Sequence, residues 1–336
     1  MLTRNTLLIL LGIVLLLLSL LSLSIGAFST PFSTLLNPWR EDAGLADLAT
    51  TIVFDIRLPR LLLSGLTGAV LGVSGAAMQG LFRNPLADPS LIGVTAGASL
   101  GASVAIVFIP ATVEFLSLSL VSLGAFVGGL TATLFVYALA TRQSGFSVST
   151  MLLVGIAITA LAGSLGNLLD YFANNSALRQ ISLWRMGGLD AATPARVLVL
   201  LPTAIALIVA VMRYSNALNA LLLGDSQARY LGFNIQHIRT VLIVVVAIAV
   251  STSVAMAGTI AFVGLVVPHL IRLMIGPNYQ GLVAGSAMLG AVFLIAADLL
   301  ARTVIAPAEL PVGIVTALIG VPFFITLLRR RRSWND

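Results

Sequence analysis

The basic residues of this chain are the first to suggest a chemistry, because all 18 of them are arginine. With no lysine, the chain lacks the residue that a P-loop places on nucleotide phosphates, so it is not itself a Walker-type ATPase. With no cysteine, disulfides, thiolate metal sites and thiol nucleophiles are excluded. The sequence contains no HExxH motif and no pair of acids in the middle of an apolar run. We therefore expect no catalytic residue, no metal and no cofactor in this chain.

Three arginines stand at the ends of apolar runs, where a guanidinium group could meet a partner. Arg57 and Arg60 open one run in "DIRLPRLLL", and Arg302 follows Asp298 by four residues near the end of another. The planar guanidinium offers a fork for bidentate contact with a carboxylate. Two plainer interpretations stay open. Arg57 and Arg60 could snorkel to the membrane interface, and Asp298 and Arg302 could pair within one helix.

Composition identifies the chain as a membrane protein. Hydrophobic residues make up 59% of the chain and charged residues 9%, whereas a soluble domain carries about 25% charged residues. Apolar runs long enough to cross a bilayer as helices recur about ten times. The predicted spans lie near 7–28, 60–81, 91–109, 116–140, 148–170, 194–212, 238–257, 260–275, 282–301 and 311–328. We therefore predict an all-α polytopic membrane protein that forms a single domain, residues 1–336, with lipid around it.

Glycines recur at four-residue spacing within several of these spans. The sets are Gly68–Gly72, Gly93–Gly97–Gly101, Gly124–Gly128 and Gly281–Gly285. This spacing puts a flat strip on one face of a helix and lets two backbones approach closely. We interpret the strips as packing surfaces, while a role in helix sliding during transport stays open.

The arginines nearest the span ends set the expected orientation. With the N-terminus in the cytoplasm, eleven arginines fall inside and seven, Arg40 among them, fall outside. The tail "LLRRRRSWND" then anchors the C-terminus inside, which agrees with ten spans. We interpret the leucine-rich N-terminal run as a retained first helix, with a cleaved signal peptide as the alternative. Because the arginines are scattered between apolar runs, no nucleic-acid partner is expected.

The longest predicted cytoplasmic loop, residues 216–239, contains a pair of short helices. Leu218 and Leu221 recur at helical spacing, and Asp225–Leu231 forms the second helix. Such a pair suits either packing at the membrane interface or the docking of a cytoplasmic partner. In the earlier loop "FRNPLADPS", Asp88 is predicted to cap the helix that follows it.

Four stretches resemble the permease subunits of type II ABC importers, a family that takes up iron–siderophore complexes, cobalamin and heme. They are "RLPR" at 57–60, "SGAAMQGLFRNPLADPSLIGVTAGA" at 74–98, "GTIAFVGLVVPHLIR" at 258–272 and "ADLLAR…PAELPVGIVTALIGVPFF" at 297–324. The resemblance implies a ten-helix permease that pairs with a second permease copy, two cytoplasmic ATP-binding subunits and a soluble binding protein outside. It also implies the bacterial inner membrane as location, with both termini cytoplasmic. ATP hydrolysis is expected in the partner subunit, so this chain is not expected to be an enzyme.

The resemblance also implies roles for individual residues. The matching positions are Arg57, Arg60 and Arg302 for docking of the binding protein; Leu218, Leu221, Asp225, Arg229, Leu231 and Gly232 in the coupling helices, about residues 216–236; and Trp184, Gly187 and Gly188 for the outer gate. Asp225 and Arg229 are expected as polar contacts with the ATPase. Leu221 and Leu231 are expected as its apolar anchors. His269 is interpreted as a packing residue, because its motif also resembles permeases whose cargo contains no heme.

The cargo is predicted from two stretches near the C-terminal half. "LNALLLGDSQARYLGF" and "DLLARTVIAPAELPVGIVTALIG" resemble the heme-uptake branch most, with iron–siderophore complexes second and cobalamin third. A rival class is an ion-coupled carrier acting alone, which would need a charged group near the bilayer midplane. Asp298 is the main candidate for that group, and Arg302 stands beside it. We therefore expect a heme-importer permease that works by alternating access.

Overall fold

The computed structural model describes residues 3–26, 50–108, 114–142 and 145–332, and this part of the chain is α-helical apart from one small hairpin. The helices are α1 (Arg4–Ser24), α2 (Leu58–Leu81), α3 (Val94–Phe108), α4 (Glu114–Ala140), α5 (Val148–Phe172), α6 (Asn175–Met186), α7 (Pro194–Arg213), α8 (Ser215–Leu221), α9 (Asp225–Tyr230), α10 (Ile235–Ala257), α11 (Val263–Ile275), α12 (Tyr279–Thr303) and α13 (Val312–Arg332). A π-helical turn, Ile52–Arg57, leads into α2, and a 3₁₀ turn, Pro89–Ile92, precedes α3. The hairpin pairs β1 (Thr141–Arg142) with β2 (Gly145–Phe146) between α4 and α5. Arg40 lies outside the described residues, as do the last two residues of the first predicted span.

Seven of the described helices are long and apolar enough to cross a membrane, and three shorter apolar helices accompany them. The seven are α1, α2, α4, α5, α7, α10 and α12, and the shorter three are α3, α11 and α13. In chain order these elements match the ten predicted spans, so the all-α polytopic fold is confirmed.

Helix α11 is short and follows a break in helical geometry. The chain leaves helical geometry between Gly258 and Phe262, which both have positive φ, and α11 then begins at Val263. Pro268 lies inside α11 and has no N–H to donate to the Gly264 carbonyl. The side-chain amide of Gln79 lies 3.5 Å from that carbonyl oxygen and takes the place of the missing donor.

The span that contains α2 is the centre of the bundle. In its most apolar stretch 83% of the residues are buried, against 17% in α1 and 17% in α5. A helix that is apolar all round and buried belongs to the core, whereas an exposed apolar helix faces lipid or another subunit. Helix α5 therefore has most of its surface available outside this chain.

Glycines let the neighbours of α2 and α3 come into backbone contact. A Cβ atom added at Gly68 would lie 2.1 Å from the carbonyl oxygen of Gly290, on α12. A Cβ atom added at Gly101 would lie 2.1 Å from the carbonyl oxygen of Gly124, on α4. The glycine strips are thus packing surfaces, as interpreted from the spacing.

Helix α2 separates two clusters of charged residues at opposite ends of the bundle. At its start lie Arg57 and the ends of α1 and α12; we name this the Arg57 end. Beyond its last residue lie Arg83 and the short helices α8 and α9; we name this the Asp225 end. The turn that follows Arg83 is shaped by Asp88, whose Oδ1 accepts the backbone N–H of Ser90 at 2.8 Å, which confirms the predicted cap. Desolvation in this turn raises the pKa of the Asp88 carboxyl above its usual value.

Candidate functional site

At the Arg57 end, one buried carboxylate contacts two of the three arginines predicted to dock a partner. Arg60 donates from Nε to Asp298 Oδ1 at 2.9 Å, and Arg302 Nε lies 3.5 Å from Asp298 Oδ2. The Asp298–Arg302 pair left open by the sequence is therefore present. Arg60 also donates from Nη1 to Glu309 Oε2 at 2.8 Å, and Glu309 lies in the connection between α12 and α13.

Arg302 and Arg57 also cap the end of α1. Arg302 Nη2 donates to the Ser22 carbonyl at 2.6 Å and to its Oγ at 2.7 Å. Arg57 Nη1 donates to the carbonyls of Leu23 at 2.7 Å and Ser24 at 3.0 Å. The last carbonyls of a helix lack intrahelical partners and carry partial negative charge, so guanidinium donors stabilise them.

The three arginines are consequently buried inside their own chain. Arg57 is 5% exposed, Arg60 is 8% exposed and Arg302 is 5% exposed, and each has an internal partner. These guanidinium groups do not extend into water as snorkelling side chains would. Their contact with a docking protein stays a prediction. Such a contact would have to share or replace the internal partners of these guanidinium groups.

At the Asp225 end, the pair of short helices predicted from the sequence is present as α8 and α9, and their role in coupling stays a prediction. Leu218 and Leu221 have no exposed surface, because α8 packs its apolar face on the bundle. A partner therefore cannot reach Leu221 in this structure, contrary to the expectation of an apolar anchor. Leu231, the other predicted anchor, is 61% exposed, and Tyr230 beside it is 91% exposed. Arg229 and Gly232 are exposed as well.

Asp225 links these helices to two other parts of the chain. Its carboxylate lies 2.9 Å from Nη2 of Arg239, on α10, and 3.3 Å from Nη2 of Arg83, just after α2. The Arg239 guanidinium in turn stands 5.1 Å above the ring of Phe146, in the hairpin before α5. Asp225 was predicted to contact an ATPase, and the structure gives it two internal partners that sequence spacing does not reveal.

The residues predicted to form the outer gate, Trp184, Gly187 and Gly188, lie at the tight junction that follows α6. Gly187 has a φ of +71°, and a Cβ atom there would lie 2.3 Å from the Thr259 carbonyl oxygen. The Gly188 N–H donates to the Ala257 carbonyl at 3.0 Å, and the Thr259 hydroxyl donates to the Arg185 carbonyl. The glycines end α6 as predicted and hold its end against the break between α10 and α11.

Two open grooves meet at this junction, and Arg185 and Thr259 line both. One, of about 650 Å³, is lined by Ser90, Leu91, Thr95, Ala96, Ser99, Ile156, Thr159, Ala160, Arg185 and Thr259. The other, of about 540 Å³, is lined by Arg185, Met186, Thr259, Ala261, Gly313, Ile314, Ala317, Leu318, Val321 and Pro322. Apart from Arg185, the grooves are lined by apolar or small hydroxyl side chains, which come from the turn before α3, from α3, α5, α6 and α13, and from Thr259 and Ala261 between α10 and α11.

Arg185 is a candidate functional residue that sequence reasoning did not single out. Its Nη1 lies 2.6 Å from Asp170 Oδ2, and its Nη2 donates to Ser103 Oγ at 3.2 Å. The signal was available, since Asp170 is an acid near the end of an apolar span and such charges pair or line a polar path. His269, by contrast, is buried in α11 and lines neither groove. Among the described residues, no group of three His, Cys, Asp or Glu side chains could hold a metal ion.

The comparisons with known proteins agree with this architecture. The chain belongs to the FecCD transport family, whose model matches residues 14–330. It is 42% identical over 332 residues to the hemin transport system permease protein HmuU of Yersinia pestis, covering 97% of this chain and 96% of that protein. It is 40% identical over 288 residues to the cobalamin import system permease protein BtuC of Halobacterium salinarum, covering 86% of this chain and 76% of that protein. The chain is thus a permease subunit of an ABC importer.

A solved structure supports the same assignment. A metal-chelate type ABC transporter in an inward-facing conformation superposes with a TM-score of 0.85 at 29% sequence identity, covering 97% of this chain and 99% of that chain. Because nearly all of both chains is covered, the permease fold extends over the helical bundle and not over one part of it.

Proposed function

We propose that this permease moves hemin across the bacterial inner membrane by alternating access, driven by ATP hydrolysis in a separate subunit. The observation that supports hemin as the cargo is the 42% identity to the Yersinia pestis hemin permease over nearly the whole of both chains. No other function class is needed to explain a chain that has an importer fold and no nucleotide-binding lysine.

The grooves beside Arg185 are compatible with this cargo. Hemin is a flat, largely apolar macrocycle with two carboxylates on one edge. Apolar walls with a cation at one border suit such a molecule better than a uniformly polar path would. Arg185 is paired with Asp170, so a hemin carboxylate would share this guanidinium with Asp170 rather than meet a free cation.

A second candidate cargo, cobalamin, is favoured by the 40% identity to the BtuC permease of Halobacterium salinarum. An iron–siderophore complex is the third. All three are bulky chelates, so fold and groove volume do not separate them. Competition in transport separates them directly.

The proposed assembly contains two copies of this permease, two cytoplasmic ATP-binding subunits and one soluble binding protein. Ten spans put both termini on the same side, and the arginine distribution favours the cytoplasm. The Arg57 end then faces outward, and the Asp225 end faces the ATPase. The exposed Tyr230, Leu231 and Arg229 supply an apolar and basic surface for that contact.

Transport in proteoliposomes tests the proposal. Purified permease, ATP-binding subunit and binding protein are expected to import hemin only when ATP is present in the compartment that the ATP-binding subunits face. Unlabelled cobalamin or ferric siderophore should not compete with hemin. Preferred uptake of cobalamin would show that cobalamin, and not hemin, is the cargo. Uptake by this chain alone under an ion gradient would contradict the importer mechanism and favour the stand-alone carrier.

Docking at the Arg57 end has its own test. The double substitution Arg57→Glu and Arg60→Glu should weaken association of the binding protein, most clearly at low salt. Arg196→Glu reverses one arginine at the same end of the bundle and is the control for either single substitution, Arg57→Glu or Arg60→Glu. Equal affinities of the wild type and the Arg57/Arg60 variant would remove these arginines from the docking surface.

A further inference from the structure

We propose that Glu309 is an internal ion-pair partner of Arg60 that an acidic side chain of the binding protein displaces. This exchange releases the connection that leads into α13. The inference rests on the proposed docking of a binding protein at the Arg57 end. It reconciles a docking role for Arg60 with the burial of that side chain.

The two carboxylates that hold Arg60 differ in their access to water. Asp298, on the Nε of Arg60, has a side chain that is 1% exposed, whereas Glu309, on Nη1, has a side chain that is 42% exposed. An ion pair with one partner open to solvent is weakly held, because water and salt screen it. A carboxylate arriving from outside can therefore replace Glu309 on Nη1 and leave the Asp298 contact intact.

The charges of this cluster favour such an exchange. Three arginines, Arg57, Arg60 and Arg302, face two carboxylates, Asp298 and Glu309, so the cluster carries one excess positive charge. That excess attracts an acidic protein and slows the departure of its carboxylate. When a new carboxylate binds Arg60, Glu309 becomes the side chain without an ion-pair partner in this cluster.

Glu309 is close in the chain to the wall of a groove. Three residues later α13 begins at Val312, and the N–H of Gly313 lies 3.4 Å from the carbonyl of Gly187, at the end of α6. A Cβ atom at Gly313 would lie 2.1 Å from the Met186 carbonyl oxygen, so the start of α13 is in close backbone contact with the end of α6. Helix α13 can therefore move at this point only by separating from α6. Helix α13 then lines a groove through Ile314. Release of Glu309 therefore loosens the segment that holds α13 against the proposed outer gate.

The substitution Glu309→Gln tests the competition, because it keeps the shape and removes the charge. In the assembled complex in nanodiscs, the binding protein of the same importer should bind this variant about two- to fivefold more tightly than the wild type, the range expected for an exposed ion pair. Asp190→Asn is the matched control, since Asp190 is an exposed acid at the same end of the bundle and follows α6. Affinity that is unchanged, or raised equally by both variants, would overturn the proposal.

A second measurement follows the connection itself and does not depend on affinity. The chain has no cysteine, so a spin label attached to Ala308→Cys in the purified permease, before the partner subunits are added, reports only this segment. Saturating binding protein should increase the label's mobility in the wild-type background, and in Glu309→Gln the label should be mobile before binding. No change of mobility on binding would contradict the release of Glu309.

Docking at the Arg57 end and competition by Glu309 can be rejected separately. If Arg57→Glu with Arg60→Glu leaves binding unchanged, docking at this end is wrong and the inference falls with it. If that variant weakens binding while Glu309→Gln behaves like Asp190→Asn, docking stands and only the competition by Glu309 is rejected.

Discussion

Asp225 and Arg239 form an ion pair of 2.9 Å that joins the short helix α9 to the first turns of α10. The same carboxylate contacts Arg83 at 3.3 Å, and Arg83 precedes the turn that carries Ser90 and Leu91 into a groove. Through Arg239 and Phe146 the contact also reaches the hairpin that leads into α5. A displacement of α9 would therefore act on two of the elements that line the groove.

The first prediction concerns this contact. Asp225→Asn should lower hemin uptake per ATP hydrolysed on the order of fivefold, the lower range of coupling between distant sites, because α9 loses its charge contacts with Arg239 and Arg83. Uptake and phosphate release are measured in the same proteoliposomes. Ser226→Ala, an exposed change on the same helix, should leave the ratio as in the wild type. An unchanged ratio in Asp225→Asn, with ATPase subunits still bound, would show that α9 transmits force by other contacts.

The second prediction concerns stability at the Arg57 end. Asp298→Asn removes the buried charge shared by Arg60 and Arg302, and breaking a buried pair costs about 3–5 kcal/mol. The thermal unfolding midpoint of the purified permease in detergent should fall clearly. Asp190→Asn removes an exposed charge and should change the free energy of unfolding by no more than about 0.5 kcal/mol, so its midpoint should stay close to that of the wild type. Similar midpoints for the two variants would mean that Asp298 contributes little to folding.

The helices could be predicted from the sequence because the bilayer imposes both their length and their composition. The span expected at 60–81 is the helix Leu58–Leu81, and the span expected at 282–301 is Tyr279–Thr303. The break between α10 and α11 falls between the predicted spans 238–257 and 260–275, but nothing in that segment predicts that α11 tolerates Pro268. Its missing donor is supplied by Gln79, a residue 189 positions earlier, and periodicity within one segment contains no trace of it.

The site was predictable in residue type but not in partners. Arginines at the ends of apolar runs indicate a charged surface, whereas the Glu309 that binds Arg60 is 249 residues away in the chain. For α8, helical spacing correctly grouped Leu218 with Leu221, but it does not say which surface covers that face. The bundle itself covers it, so the exposed large apolar residues of this region are instead Leu222, Leu223, Tyr230 and Leu231.

The third prediction separates two glycines in apolar helices. Gly68→Ala should destabilise the permease by about 1–3 kcal/mol, because its Cβ atom would overlap the Gly290 carbonyl 2.1 Å away and push α12 from α2. Gly163→Ala, on α5, meets nothing within 4 Å and should be neutral or stabilising by up to about 1 kcal/mol, since alanine favours the helix. Thermal unfolding of both variants checks the opposite signs. Equal effects would argue against close packing of α2 on α12.

The fourth prediction concerns the groove walls and uses the absence of native cysteine. Thr159→Cys places a thiol in the groove of about 650 Å³, whereas Val209→Cys places one on α7, where the side chain is 60% exposed but lines neither groove. A charged maleimide should label residue 159 and not residue 209, because a lipid-covered thiol is shielded from a water-soluble reagent. Hemin delivered by the binding protein should slow labelling at residue 159 in the assembled importer. Equal labelling at both positions, with no protection by hemin, would show that this groove does not line the transport path.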